Sequence, residues 1–176
     1  MSYSYCEGWF RARRVATKPL NETQARQRHA TKGALYTAIV GDPVRPNAFV
    51  EIVGGDSIQV EFLDDQLRTH AAYQFVIQPD GRLFMVMAAF VKFGADGRQT
   101  WGRRLSFKPD GHVMSFETDY VHSPNSETVS EHRIDVSLNW EPYPSFGDYA
   151  SIARYDRDRP PAESNGVAVA DRPGPH

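Results

Sequence analysis

The sequence predicts an all-β protein, an antiparallel meander closing into a small barrel of eight or nine strands with short helices at its periphery. Two observations carry this. Between residues 68 and 140 one unit recurs three times: an apolar run, a short turn ending in Asp-Gly, and another apolar run. The turns are Gln78-Pro79-Asp80-Gly81-Arg82, Gly94-Ala95-Asp96-Gly97-Arg98 and Lys108-Pro109-Asp110-Gly111-His112. In addition, no long amphipathic helix is legible, which argues against folds that wrap one around a pocket.

In chain order, 3–15 reads as a first strand carrying Trp9 and Phe10. The polar stretch 21–32, followed by Gly33, reads as a short surface helix with a glycine stop. Strands follow at 35–40, 48–53 and 58–63, each ended by a Gly/Asp turn or an Asp pair. The last alternates cleanly, with Ile58, Val60 and Phe62 on one face and Gln59 and Glu61 on the other. After the meander, the aromatic and proline cluster 140–146 is expected to cap one barrel end, and 148–154 to form a helical turn. Three segments result: a basic N-terminal arm at 1–33, the barrel at 34–154, and a flexible Pro- and charge-rich tail at 155–176.

A chain of 176 residues with 40% hydrophobic and 24% charged residues has ordinary globular composition and enough length for a sizeable core. Its longest apolar run, 83–91, falls short of the roughly 20 residues a membrane span needs. With one cysteine, Cys6, and no apolar signal-peptide core, the expected location is the cytoplasm. Net charge is −2, but 1–33 holds seven Lys/Arg against Glu7 and Glu22. The arm lacks a basic repeat, a helix-turn-helix pattern or interleaved aromatics, which argues against nucleic acid and for charges neutralised within the domain. The oligomeric state stays open, a homodimer included.

Turn chemistry constrains which residues face inward. A Pro-Asp-Gly loop suits a type I turn followed by glycine at positive φ, so Gln78 should oppose Arg82. That register pairs Ile77 with Leu83, Phe75 with Met85 and Tyr73 with Met87, all odd-numbered and apolar. The second turn keeps an odd face: Trp101, Arg103, Leu105 and Phe107. The last hairpin is self-consistent if Tyr120 opposes His132, which makes its apolar set even-numbered. The third turn, read as a copy of the first, instead sets Leu105 against Ser115 and Arg103 against Glu117. A bulge at Gly102 or Gly111 would reconcile the two. One resolution lines the interior with Tyr73 and Arg103, the other with His70, Gln74 and Arg104; Thr118, Tyr120 and His132 belong to both.

His132 and Tyr120 are therefore the candidate catalytic pair, a neutral-pH acid–base and a phenol donor. Arg103 or Arg104 would hold a carboxylate through forked donors, with Tyr73, Thr118 and Trp101 completing a ligand site. This chemistry suits isomerisation, cyclisation or dehydration of a small, partly apolar organic ligand without a cofactor. A satisfied Tyr–His pair in a core is the plainer account. His112, His122 and His132 recur every ten residues, but strand spacing spreads them along the sheet, so no metal is expected. Such a barrel is lipocalin-like, similar in architecture to lipocalin-type binders and small barrel cyclases. The competing expectation is a non-enzymatic interaction protein, an inhibitor, immunity or accessory factor, presenting Glu117, Asp119, Glu131 and Asp135 as an acidic surface.

Overall fold

The structure, a computed structural model, describes residues 2–155 and 157. The expected tail therefore lies outside the described residues from 158 onward. The strands are β1 (Tyr3–Phe10), β2 (Val15–Leu20), β3 (Leu35–Gly41), β4 (Pro46–Val53), β5 (Ser57–Leu63), β6 (Thr69–Ile77), β7 (Leu83–Phe93), β8 (Gln99–Phe107), β9 (His112–Asp119), β10 (Thr128–Arg133) and β11 (Trp140–Glu141). The helix α1 spans Glu22–Ala30. All strands join one antiparallel sheet ordered β10-β9-β8-β7-β6-β5-β4-β3-β1-β2. The meander is as expected; its hydrogen-bonded closure is not reached, and β10 and β2 are the sheet's edges. β11 pairs with β7 at Leu83 and Phe84, on the edge that β8 leaves free beyond Ser106.

Helix α1 is specified by its ends more than by its faces. Asn21 caps it through the Gln24 backbone N–H, and the Gln24 side chain returns a bond to the Asn21 N–H, a complete capping box. Only Ala25 of the helix is buried.

Side chains on the core face align in rows across the sheet. One row runs Ala38, Val50, Val60, Tyr73, Ala88, Leu105; the next runs Val40, Ala48, Phe62, Ala71, Phe90. All are buried and belong to the main core. Four strand pairs carry a register shift, and the two that flank β7 set which of its positions face the core. Phe75 opposes Met85 but Gln74 opposes Met87, leaving Val86 as an extra residue in β7. Lys92 opposes Trp101 but Phe93 opposes Gln99, leaving Thr100 as an extra residue in β8. The apolar face thus passes from odd positions in β6 to even positions in β7 and back to odd in β8. The bulge expected at Gly102 or Gly111 is not formed, since β8 and β9 pair without a shift. The conflict is removed by the β9–β10 register, which sets His132 opposite Val113, and the pairing of Tyr73 is with Ala88.

Residues 142–153 lie on the core face. Tyr149 and Ile152 are fully buried, and Phe146 stacks on Tyr5 with ring centroids 5.1 Å apart. Ala153 N–H bonds Tyr149 O at 2.9 Å, the expected helical turn. The segment is pinned by Glu141, which accepts from Ser151 and pairs with Arg157 and Arg154. Burial alone would raise the Glu141 pKa, but the Ser151 hydroxyl and Arg157 guanidinium outweigh it and hold the carboxyl below its ordinary value.

The opposite face carries a smaller cluster of Cys6, Trp9, Ile39, Phe49 and Leu63. Beside it the buried Glu61 carboxylate is satisfied by Arg11, Gln59 and Thr69. Burial dominates at Cys6, pushing its thiol pKa up. The basic segment 1–33 is woven into this fold: Arg11 pairs with Glu51 and Glu61, Lys18 and Arg28 with Glu7, and Arg26 with Glu22. No described helix is long and apolar enough to cross a membrane.

Candidate functional site

The core face changes character at its β10 end. Continued across the sheet, the first row passes from Leu105 to Ser115 and Ser130, and the second from Phe90 to Arg103, Glu117 and Thr128. A third row holds Phe107, Val113 and His132, and a fourth sets Trp101 beside Asp119. Neighbours in a row lie about 4.8 Å apart and rows about 6.6 Å apart. A polar shelf therefore continues directly from an apolar core on one face of three adjacent strands.

The shelf's side chains are already oriented by one another. Trp101 Nε1 donates to Glu117 Oε1 at 2.7 Å, and Arg103 Nε donates to Ser115 Oγ at 3.2 Å. His132 Nε2 lies 3.1 Å from Ser130 Oγ, and Lys92 Nζ sits 4.8 Å from the Trp101 ring centroid. At the lower end is a cavity of about 70 Å³, lined by Leu105, Phe107, Val113, His132, Asn139 and Arg157 among others. Asn139 is held there by a bond to Met85 O, and Arg157 by Leu138 O and Glu141. The arrangement offers an apolar floor, a guanidinium, an indole face and an imidazole to one small molecule.

The structure sorts the expected site residues onto two faces. Arg103, Trp101 and His132 share the shelf. Arg104 is on the opposite face, with its guanidinium 4.5 Å from the Phe116 ring centroid. Thr118 pairs with Gly102 and shares that opposite face with Phe116. Tyr73 is fully buried in the core and donates to Tyr155 O at 3.1 Å. Tyr120 is 42% exposed, beyond the end of β9, and the expected Tyr120–His132 pairing is not formed: His132 opposes Val113. Asp119 is the cause. Its carboxylate accepts the N–H groups of Val121 and His122 and contacts the His122 ring, ending β9 and drawing Tyr120 into the turn. The His122 N–H first, then the His122 ring and the Val121 N–H, hold the Asp119 carboxyl below its ordinary pKa and outweigh the opposing effect of desolvation.

Ser115, Ser130, Asn139 and Arg157 complete the shelf and were missed as candidates. The pairing of Leu105 with Ser115 was legible from the third turn; Arg157 falls in a stretch that reads as tail. The four acidic residues expected to share a surface do not: Glu117 and Asp119 are on the core face, Glu131 pairs with Met114 on the other, and Asp135 is in a loop.

Two other features lie outside the shelf. An open groove of about 330 Å³ beside α1 is lined by Leu20, Gln24, Gln27, Arg28, Thr31 and Ala34, with Arg28 engaged by Glu7 and Leu35 O. A polar chain through the core links His29 Nδ1 to Tyr36 Oη and Tyr36 Oη to Tyr149 Oη, each at 2.8 Å. It joins α1, β3 and the 142–153 segment. Among the described residues no group of three or more His, Cys, Asp or Glu is placed to hold a metal ion.

No protein-family model matches the chain, and neither a curated protein nor a solved structure matches it.

Proposed function

We propose that the protein is a binder of a small, partly apolar organic ligand, using its sheet as an open, barrel-like and lipocalin-like scaffold. The observation that supports this reading is the change of the core-face rows from apolar to polar at β8–β10, around a cavity that His132 lines. Inward-facing polar side chains beside an apolar floor are the usual make-up of a ligand site, where a few polar groups orient a mostly apolar molecule. About 70 Å³ takes only a small apolar group, so the rest of the ligand lies along the Arg103 and Trp101 rows. Arg103 is the carboxylate anchor, since its fork presents donors beyond the one given to Ser115.

Binding is favoured over an isomerase or lyase because Tyr120 and His132 do not form a pair that can pass a proton. A second reading, an accessory or inhibitor protein acting through a surface, draws support from the core filled by Tyr149 and Ile152.

Calorimetric titration with a panel of small aromatic and branched carboxylates tests the first reading. A member that binds should lose about tenfold to a hundredfold in affinity in Arg103→Ala, the loss of a charge-assisted bond. Arg104→Ala, on the opposite face, should bind as the parent does. Equal affinity in the Arg103 variant would remove the shelf as the site.

A further inference from the structure

The two edges of the open sheet are built differently. β2 is guarded: Pro19 lacks an N–H, Lys18 sits at φ 47°, and the register with β1 omits the Glu7–Lys18 position, where those two side chains are ion-paired. β10 lacks the proline, the positive φ and the gap in register, and its own-chain ion pairs are long, Glu131 to His112 at 3.9 Å and Arg133 to Asp110 at 4.0 Å. Thr128 to Arg133 pair with β9 without a register shift, contain neither proline nor glycine, and adopt no positive φ. Among the described residues no strand pairs with the other side of β10. An unguarded edge of this kind is a template for another strand.

The charges along β10 name the strand that fits. Glu127 precedes it and Arg133 ends it, both exposed, so an antiparallel copy of the same segment brings each Glu to an Arg. We propose that the protein forms a symmetric homodimer in which β10 pairs antiparallel with β10 of a second copy, with Ser130 on the two-fold axis. Antiparallel partners share a face, so only registers that keep parity continue the sheet. With Ser130 on the axis, Glu127 opposes Arg133 of the second copy at both ends, and Thr128 opposes His132. The two Val129 side chains, each 38% exposed, become diagonal neighbours. Centring on Val129 sets Glu127 against Glu131, and centring on Glu131 sets that carboxylate against itself. Centring on His132 matches Glu131 to Arg133 but leaves the first half of the strand unpaired. The Ser130 axis alone uses the whole strand with opposite charges facing at both ends and no like charges opposed, Glu131 lying across from Val129.

The pairing stands whether or not a ligand binds, and it carries a consequence for the shelf: Thr128 of the second copy lies beside His132, so each shelf gains a hydroxyl from the other chain. An interface made by one short strand per copy falls below about 1,200 Å², so association should be weak and concentration-dependent.

Sedimentation equilibrium of the full chain from about 1 to about 200 µM tests this, with Arg133→Glu and the double variant Glu127→Arg/Arg133→Glu. The parent should pass from monomer to dimer across the range. Arg133→Glu places like charges opposite one another at both ends and should weaken association at least about tenfold. The double variant, which exchanges the charges, should restore it, and this restoration separates lost pairing from lost folding. A parent monomeric throughout, an Arg133→Glu variant that associates as the parent does, or a double variant that stays monomeric would each overturn the proposal.

Discussion

His29 shows how one side chain couples pH to the packing of the core. The Pro144 carbonyl can only accept, so the imidazole donates to it, and Nδ1 accepts from the Tyr36 hydroxyl, whose oxygen accepts in turn from Tyr149. With a neutral ring the chain therefore runs in one direction. Protonation places a proton on Nδ1, and the Tyr36 hydroxyl must then turn to donate to Tyr149 instead. Burial is the main cause that lowers the His29 pKa; the Pro144 carbonyl opposes it, and the Arg26 charge adds to it. The Tyr36 hydroxyl is pushed well above its ordinary range, by burial first, and stays protonated. Because the folded-state value lies below the unfolded one of 6.5, the unfolded chain binds the extra proton first. The contribution to stability is therefore complete above about pH 6.5 and is lost as pH falls below it. Melting temperatures between about pH 7.5 and about pH 5.5 should fall for the parent and fall less for His29→Gln. Equal slopes would show that the ring does not report on this contact.

At the scale of elements, the three Asp-Gly turns look interchangeable in sequence and are not so in the fold. Gly81 and Gly111 have nearly the same φ, 82° and 86°. A Cβ at Gly81 would meet nothing within 4 Å, whereas at Gly111 it would lie 2.6 Å from Ile134 O. Gly81→Ala should thus cost about 1 kcal/mol, the strain of a left-handed alanine. Gly111→Ala should cost at least about 3 kcal/mol, because the Ile134 backbone must also move and its N–H is bonded to Gly111 O. Chemical denaturation of both variants checks the ordering; equal costs would mean that the backbone at Ile134, just after β10, yields freely. The strands from β3 to β9, the first turn register as far as Phe75–Met85 and the short helix were legible because each depends on residues within one or two turns of itself. β2 was not, since 3–15 reads as one strand and the structure turns at 11–14. Val86 and Thr100 were not. A bulge is selected by how two strands pack against a third, and neither residue carries a glycine's local mark. The Asp119 turn was hidden differently: several side-chain acceptors stand near that hairpin, and only the fold shows which one ends the strand.

For the whole molecule, what the sequence conveyed is a meander with an inward face; where that face stops being apolar depended on parity. Arg103 and His132 share one side because β8 pairs with β9 without a bulge and His132 opposes Val113, and the same two registers put Arg104 and Thr118 on the other. The expected flexible tail conceals Arg157, because a buried arginine is recognisable only beside Glu141 and the Phe75 ring, 5.3 Å from its guanidinium carbon. The core is filled from within the chain by residues 142–153, which leaves the β8–β10 shelf as the part of the inward face with polar groups to offer a ligand. The account therefore turns on that shelf. Its most direct test is chemical-shift mapping of the full chain during titration with the same small aromatic and branched carboxylates. Saturable shifts should centre on Trp101, Arg103, Ser115 and His132 and spare Arg104 and Thr118 across the sheet. Shifts centred on the opposite face or on the α1 groove, or no saturable shift from any carboxylate, would contradict it.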